Sequence, residues 1–542
     1  MVLNMLSSKI EPQHLSVLRQ VALFADLTRH ELQTLNDLLH IRHYIAKEII
    51  FDQAEEGQAI YFVLSGLVHV KTKDHPQVLA ELTSGDFFGE RALITDAPRT
   101  AQIRAAEDTL VAVLFRNDFF NLLSTHPSIG RKIYMDYGAT QVPVTPNNLT
   151  DLAETSPESE SLLMYLTASH IGSLTWLGII ATTSVLLMMF KSLLWLVLPF
   201  LFGLILYYCL VPIAKKLVRR GFSRSFSAVA LSGALLLLIG GVISWFYSMA
   251  LANSTTWQSS FNHYLSGGAN LAYQLLHSLQ DHSSLLQNAQ IGEEIYLKID
   301  DVAKNFSDKY LGEIISSFAK WLPSLMLAPL ISFFLLKDGA HIRKMLGAAV
   351  PNAFFEKTLY LIHAVDHTAK LYLMGLIKVA IVDSLFLTFG LWWCGFSFFT
   401  SLFVSVMCAI LNWVPYLGPL LGCGLVLMIA ATDLPANMTM IYSIIAVFLA
   451  LRLLDDFVTL PMVLGKSLRI HPFITIMMFV IGEAIAGITG LMLVIPILAV
   501  VIVLGETLEI IISDKRLRAR QQYTQKLSWE IANRGLEDQN LK

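Results

Sequence analysis

Charge is scarce in this chain: Asp, Glu, Lys and Arg supply only 15% of its 542 residues, against roughly 25% in a soluble domain. Hydrophobic residues fill 54%, so much of the chain needs an apolar surrounding. A net charge of −3 offers no basic excess for phosphate backbones, and nucleic acid is not an expected partner. Cysteine is also rare. Cys209, Cys394, Cys408 and Cys423 all lie in apolar segments without metal-ligand spacing, which reads as core packing rather than disulfides or zinc. The first residues, MVLNMLSSKIEPQ, lack an apolar run, so a cleavable signal peptide is not expected. Neither a P-loop, a nucleophile elbow nor a metal constellation is present, which argues against an enzyme. The chain also lacks a helix with arginine at every third position and a TVGYG-like filter, which argues against a gated channel.

What charge there is falls unevenly. The N-terminal 160 residues read as soluble and most of the remainder as membrane. Leucines between Leu15 and Leu39 recur at roughly helical spacing. From Ile49 short alternating runs separated by turn residues follow, among them AIYFVLSG, LVHVKT and TLVAVLF. After Asn117 helical spacing returns to Tyr137. The expected fold of this part is a β-roll flanked by helices.

Within it lies GDFFGERALITDAPRTAQIRA, from Gly85 to Ala105. A glycine loop opens a very short helix near Glu90, whose free N–H groups suit an anion. Arg99 follows at a distance that returns its guanidinium to the same pocket, where it can bind phosphate. Glu90 can accept from a sugar hydroxyl. This stretch resembles the phosphate-binding cassette of the cyclic nucleotide-binding domain family, over about residues 15–137. The resemblance implies that Gly89, Glu90, Ala92 and Leu93 line the cyclic phosphate and ribose. It further implies that Arg99 pairs with the phosphate and that Thr100 lies beside the base or phosphate. cAMP is expected ahead of cGMP as a regulatory ligand, although Thr100 tolerates guanine and does not separate the two.

Residues 138–164 are rich in Pro, Thr, Ser and Glu without apolar periodicity and read as a linker. Residues 171–190 and 192–214 contain no charge, and each is long enough to span ~30 Å of hydrocarbon. Lys215, Lys216, Arg219, Arg220 and Arg224 then form a dense basic cluster, expected on the cytoplasmic side. Further spans are expected at 226–250, 321–336 and 371–395, with amphipathic helices at 251–320 outside. Asp383 falls inside the last of these spans, with Lys378 as a possible partner. The tail, with Lys515, Arg516, Arg518 and Arg520, is again expected inside, so both termini face the cytoplasm.

Two stretches break the apolar pattern. NWVPYLGP, Asn412–Pro419, interrupts a charge-free run of 49 residues at 384–432. Gly482, Gly487 and Gly490 interrupt 471–512. Such breaks survive at membrane depth only inside protein or beside a wet cavity. One topology makes 398–431 and 471–512 opposed re-entrant hairpins with 438–460 crossing between them. The alternative is plain full spans, about eight in all. Arg452, Asp455 and Asp456, spaced to share one side of a helix, and Glu483, between glycines, are the candidate carboxylate and cation groups. Pro415, Gly418 and Pro419 would shape backbone and expose carbonyls to a passing solute.

The motifs FFLLKDG, NWVPYLGPLLG, TLPMVLGKSLRIHPF and GEAIAGITGLMLVIP occur in that order. They are similar to those of the autoinducer-2 exporter family, or PerM-like permeases, over about residues 165–515. At Arg452 the chain departs from the uncharged polar residue common in that family. The resemblance implies an all-α polytopic transporter in the bacterial inner membrane, homo-oligomeric and in one form pentameric. Members export autoinducer-2 or exchange sodium for protons. The expected organisation is a sensor at 1–137, a linker at 138–164, a transporter at 165–515 and a cytoplasmic tail at 516–542. The expected function is a cyclic nucleotide-regulated exporter of a small polar solute. A sodium–proton antiporter of the same family is the alternative, followed by a nucleotide-gated channel or a non-transporting membrane receptor.

Overall fold

In the computed structural model, residues 16–132, 173–252, 263–274 and 312–540 are described, apart from breaks at 37, 73–76, 92–97, 126–128, 130–131, 193, 272–273, 414–416, 434–437 and 460–471. The linker, most of 251–311, His471 and the expected site residues Ala92, Leu93 and Pro415 fall outside them.

Alternation along a seven-residue N-terminal strand explains the two-sided roll. In β3 (Ala59–Ser65), Ile60, Phe62 and Leu64 face one apolar cluster, which includes Phe24, Leu114 and Leu122. Tyr61 and Val63 face a second, with Tyr44, Phe51 and Val113. Both faces are buried, as period-2 side chains require when helices cover the outside of a roll. The eight strands are β1 (His40–Tyr44), β2 (Ile49–Phe51), β3, β4 (Val68–Lys71), β5 (Ala80–Leu82), β6 (Phe87–Phe88), β7 (Gln102–Ala105) and β8 (Thr109–Phe115). They form two antiparallel four-stranded sheets, ordered β1-β8-β3-β6 and β2-β7-β4-β5. The leading helical stretch divides into a 3-10 turn (Ala22–Phe24) and α1 (Arg29–Asn36). Thr28 and Glu31 start α1 as a reciprocal cap: Thr28 N–H donates to Glu31 Oε2 at 2.8 Å and Glu31 N–H to Thr28 Oγ1 at 3.4 Å. After β8 comes α2 (Arg116–Thr125).

The rest of the described residues are mainly helical, as the missing charge demands. Its helices are α3 (Ser173–Ser192), α4 (Leu194–Arg219), α5 (Arg224–Ala252), α6 (Gly312–Ala348), α7 (Phe355–Trp393), α8 (Phe398–Leu411), α9 (Leu417–Asp433), α10 (Met438–Leu454), α11 (Pro472–Ser513) and α12 (Lys515–Asn540). Among the described residues, segments 199–219, 224–241, 352–393 and 489–509 are long and apolar enough to cross a bilayer.

Helices α8 and α9, of 14 and 17 residues, reach only roughly 21–26 Å each at 1.5 Å per residue. They fold back on one another, with Cys408 Sγ 3.7 Å from the Gly422 carbonyl. α11 breaks at Ala486 (φ −135°, ψ 16°) and Gly487 (φ 60°, ψ −143°). Gly487 adopts a left-handed φ that other residues resist. The halves of α11 then meet so closely that a Cβ on Gly490 would collide with the Gly482 carbonyl. Both interruptions expected from glycine and proline are therefore real bends. The four cysteines are free thiols.

The roll docks on the helical part at the junction of α6 and α7. Phe355, 1% exposed, and Leu359 join the roll's inner cluster. The Arg42 guanidinium lies 4.1 Å from the Phe355 ring centre and is surrounded by the Gly347, Ala348 and Val350 carbonyls. Asn352 Nδ2 donates to the His43 carbonyl at 2.8 Å and to Glu48 Oε1 at 3.1 Å. From α12, Arg520 donates to Glu55 at 3.1 Å and to the Ile50 and Ala353 carbonyls.

Gly490→Ala should force the two halves of α11 apart and destabilise the helical domain by about 1–3 kcal/mol, the usual range for overpacking. Thermal unfolding in detergent, followed by circular dichroism, should give a lower midpoint than for the unchanged chain.

Candidate functional site

Arg99 is held on both sides by backbone before its side chain does anything. Its N–H donates to the Glu55 carbonyl at 2.7 Å, and its carbonyl accepts from Ala54 N–H at 2.7 Å. Ala54 itself carries a left-handed φ of 66°, a strained conformation of the kind that gathers at functional loops. The side chain then runs into the roll, 6% exposed. Its Nη1 donates to the Gly89 carbonyl at 3.1 Å and its Nη2 to the Ala59 carbonyl at 2.9 Å. Phe51 lies under the guanidinium, 4.1 Å from ring centre to Cζ. A Cβ on Gly57 or on Gly89 (φ +80°) would strike the guanidinium, so both positions need glycine for space, and Gly89 for its backbone conformation as well. Glu90 is half-buried beside this channel and Thr100 is exposed.

The anion on Arg99 comes from the helical domain. Glu356, in the first turn of α7, accepts from Arg99 Nη2 at 2.8 Å, from Gln58 N–H at 3.2 Å and from the Tyr61 hydroxyl. Glu356 escaped the sequence reading because 257 residues separate the partners and PNAFFEK looks like an ordinary helix start. Next to this junction lies a cavity of about 260 Å³, lined by Phe51, Glu55, Tyr61, Glu356, Lys357 and Arg520. Burial pushes the Glu55 carboxyl above the usual carboxylate range, and the neighbouring Arg520 charge pulls against it.

A second group lies in the membrane part. Asp383, on α7, is fully buried. Its Oδ2 accepts from Asn412 Nδ2 at 2.6 Å, and the same amide lies 3.5 Å from Asp455 Oδ2. Asn412 ends α8 at the Pro–Gly break, and Asp455 opens a π-helical turn, Asp455–Thr459, after α10. A π turn inserts one residue per turn and often marks functional positions. Oδ1 of Asp383 and Oδ1 of Asp455 are buried and have no hydrogen-bond partner among the described residues.

The other predicted residues disperse. Arg452 pairs with Asp456 at 3.2 Å, with 39% and 43% of the two side chains exposed. The wider π turn directs Asp455 inward and Asp456 outward, so the three do not form one cluster. Lys378 is exposed, and the near partner of Asp383 is Asn412. Glu483 lies on the exposed side of α11, while its neighbour Gly482 is buried. Gly418 is buried against the Leu411 carbonyl and Pro419 is half-buried. Asn412 was read only as a helix breaker. Its amide, poised between acid-bearing segments, was the signal that could have revealed the pair.

Two family models match the chain: AI-2E family transporter over residues 179–510 and cyclic nucleotide-binding domain over residues 41–126. YrrI of Bacillus subtilis (strain 168), provisionally named a transport protein, is 23% identical over 308 residues, 56% of this chain and 83% of that one. The cAMP-dependent protein kinase regulatory subunit of Debaryomyces hansenii is 37% identical over 106 residues, 20% of this chain and 23% of that protein. The chain therefore spans under a quarter of the kinase subunit's length. Among solved structures, the N-terminal domain of a transcriptional regulator from Streptomyces coelicolor A3(2) is 22% identical. It covers 24% of this chain and 99% of its own, with a TM-score of 0.22.

His40 supplies a pH test of the docked junction. Burial, with the nearby charges of Lys344, Arg42 and Arg343, holds its imidazole down to about 3 from 6.5. The folded chain keeps it neutral while the unfolded chain protonates it below 6.5. Stability from this group is therefore complete above that value and is lost as the pH falls toward 3. Between pH 7 and 5 the loss should be about 2 kcal/mol, measured by denaturant unfolding, and His40→Gln should flatten that slope.

Proposed function

The chain belongs to the AI-2E transporter family, and from that premise we propose that it is a cyclic nucleotide-regulated exporter of a small polar solute, autoinducer-2-like in class. The observation that carries the transport reading is the Asp383–Asn412–Asp455 group. Two carboxyls enclosed at membrane depth repel one another, and such groups persist where a polar solute, proton or cation uses them. Each carboxyl keeps one oxygen unpartnered among the described residues. Glu483, Arg452, Asp456, Pro415, Gly418 and Pro419 stay in this proposal as further pathway candidates apart from that group.

The same pair favours a second reading, a sodium–proton antiporter. A cation and a proton relieve the same repulsion and so can take turns on one acid pair. cAMP, ahead of cGMP, is the proposed regulatory ligand, with Gly89, Glu90, Ala92, Leu93, Arg99 and Thr100 as its pocket. The Arg520–Glu55 contact brings the C-terminal helix and the sensor to the same side of the bilayer. With the basic cluster at Lys215–Arg224 this supports cytoplasmic termini in an inner membrane. Large exposed side chains such as Trp393, Phe399 and Phe457 suit lipid and further copies of the chain, a pentamer in this proposal.

The test is flux in proteoliposomes. The intact chain should move solute or drive sodium-dependent proton movement, and Asp383→Asn and Asp455→Asn should each remove most of it. Undiminished flux in the doubly substituted chain would sink the assignment of the pathway to this pair. Sodium-driven acidification without autoinducer-2 efflux would select the antiporter.

A further inference from the structure

The phosphate seat of the sensor is already filled from within. Three donors converge on the Glu356 carboxylate: the Arg99 guanidinium at 2.8 Å, the Gln58 backbone N–H at 3.2 Å and the Tyr61 hydroxyl. A guanidinium, a backbone N–H and a hydroxyl are also the donors a cyclic phosphate would use. Most of the rest of the Arg99 fork is committed, while its buried Nε has no partner among the described residues. Carbonyls of Gly89 and Ala59 take one N–H from each terminal nitrogen, and Phe51 covers one face. A phosphate oxygen taking the Nη2 edge of Arg99 would therefore come against the Glu356 carboxylate, a like charge in a buried space.

Glu356 is placed there by more than its own contacts. Phe355 is inserted in the roll's inner cluster beside the His40 ring, 5.5 Å between centres. On the other side of Glu356, Lys357 pairs with Glu56 at 3.2 Å. The residue begins α7, and α7 is the helix that carries Asp383. One continuous helix thus joins the sensor's arginine to the membrane carboxylates.

We infer that Glu356 is an internal ligand of the nucleotide pocket, and that a cyclic nucleotide competes with it for Arg99 and thereby releases the start of α7 from the roll. The inference rests on the reading of the roll as a nucleotide sensor and adds what the nucleotide has to displace. It also accounts for coupling: a ligand shifts a conformational equilibrium only through a difference in affinity between states. Here the docked state offers an arginine whose anion site is taken, and the released state offers it open.

The experiment is calorimetry of the full chain in lipid nanodiscs with cAMP and with cGMP, comparing the unchanged protein with Glu356→Gln, Lys357→Ala and Arg99→Ala. Removing the competing charge should tighten nucleotide binding roughly 10- to 100-fold, the span expected for a charge-assisted hydrogen bond. Lys357→Ala, which removes one contact that holds Glu356 in place, should tighten binding less than Glu356→Gln, and Arg99→Ala should lose binding. Equal affinity for the unchanged chain and Glu356→Gln, with binding still dependent on Arg99, overturns the competition and leaves the sensor standing. No heat from any of the chains with either nucleotide overturns both. A second measurement needs no substitution: amides of residues 352–360 should exchange hydrogen faster when saturating nucleotide is bound. Unchanged exchange with nucleotide bound overturns the release.

Discussion

A guanidinium buried in the heart of a small β-roll must have an anion. Leaving Arg99 without one would cost several kcal/mol, because a buried charge is tolerable only when paired and hydrogen-bonded. Much of the architecture follows from how that need is met. The glycines at 57 and 89 clear the space, Phe51 and Tyr61 wall it, and Glu356 of the membrane part fills it. The sensor and the helical domain therefore share one ion pair as well as an apolar surface. Around it, Arg42, Asn352 and Arg520 satisfy carbonyls on the other side of the boundary. The pair is locally balanced and the boundary is dense.

The membrane part meets the same constraint differently. Asp383 and Asp455 are enclosed, yet their near partner is a neutral amide that serves both. The contrast divides the molecule by purpose. A closed guanidinium–carboxylate pair suits a contact held until a stronger competitor arrives. Two carboxyls share one amide, and each keeps an oxygen without a partner among the described residues.

Local signals were legible in the sequence, and long-range ones were not. The cassette from Gly85 to Ala105 could be read because its glycines, Glu90 and Arg99 lie within one loop of each other. The bends at Asn412–Pro419 and Gly482–Gly490 could be read because proline and glycine act on the backbone where they stand. The ordered membrane motifs carried the family likeness to the AI-2E transporters. Glu356 could not be paired with Arg99, since nothing in PNAFFEK distinguishes it from a routine first-turn acid. Spacing placed Arg452, Asp455 and Asp456 on one helical side, and it failed because a π turn changed the count at that point. Lys378 looked a natural partner for Asp383 along the chain, but five residues carry it round to the exposed surface.

The 39 residues of α7 make a rod of roughly 58 Å at 1.5 Å per residue. One end is wedged in the sensor and the other is packed among short hairpin helices. A helix of that length is stiff enough to act as a lever, so whatever tilts its far end also pries at its near end. Membrane thickness is such an influence, because a span longer or shorter than the hydrocarbon tilts to match it. Under the proposed reading, the roll's affinity for a nucleotide would then depend on the lipids around the helical domain as well as on the nucleotide concentration.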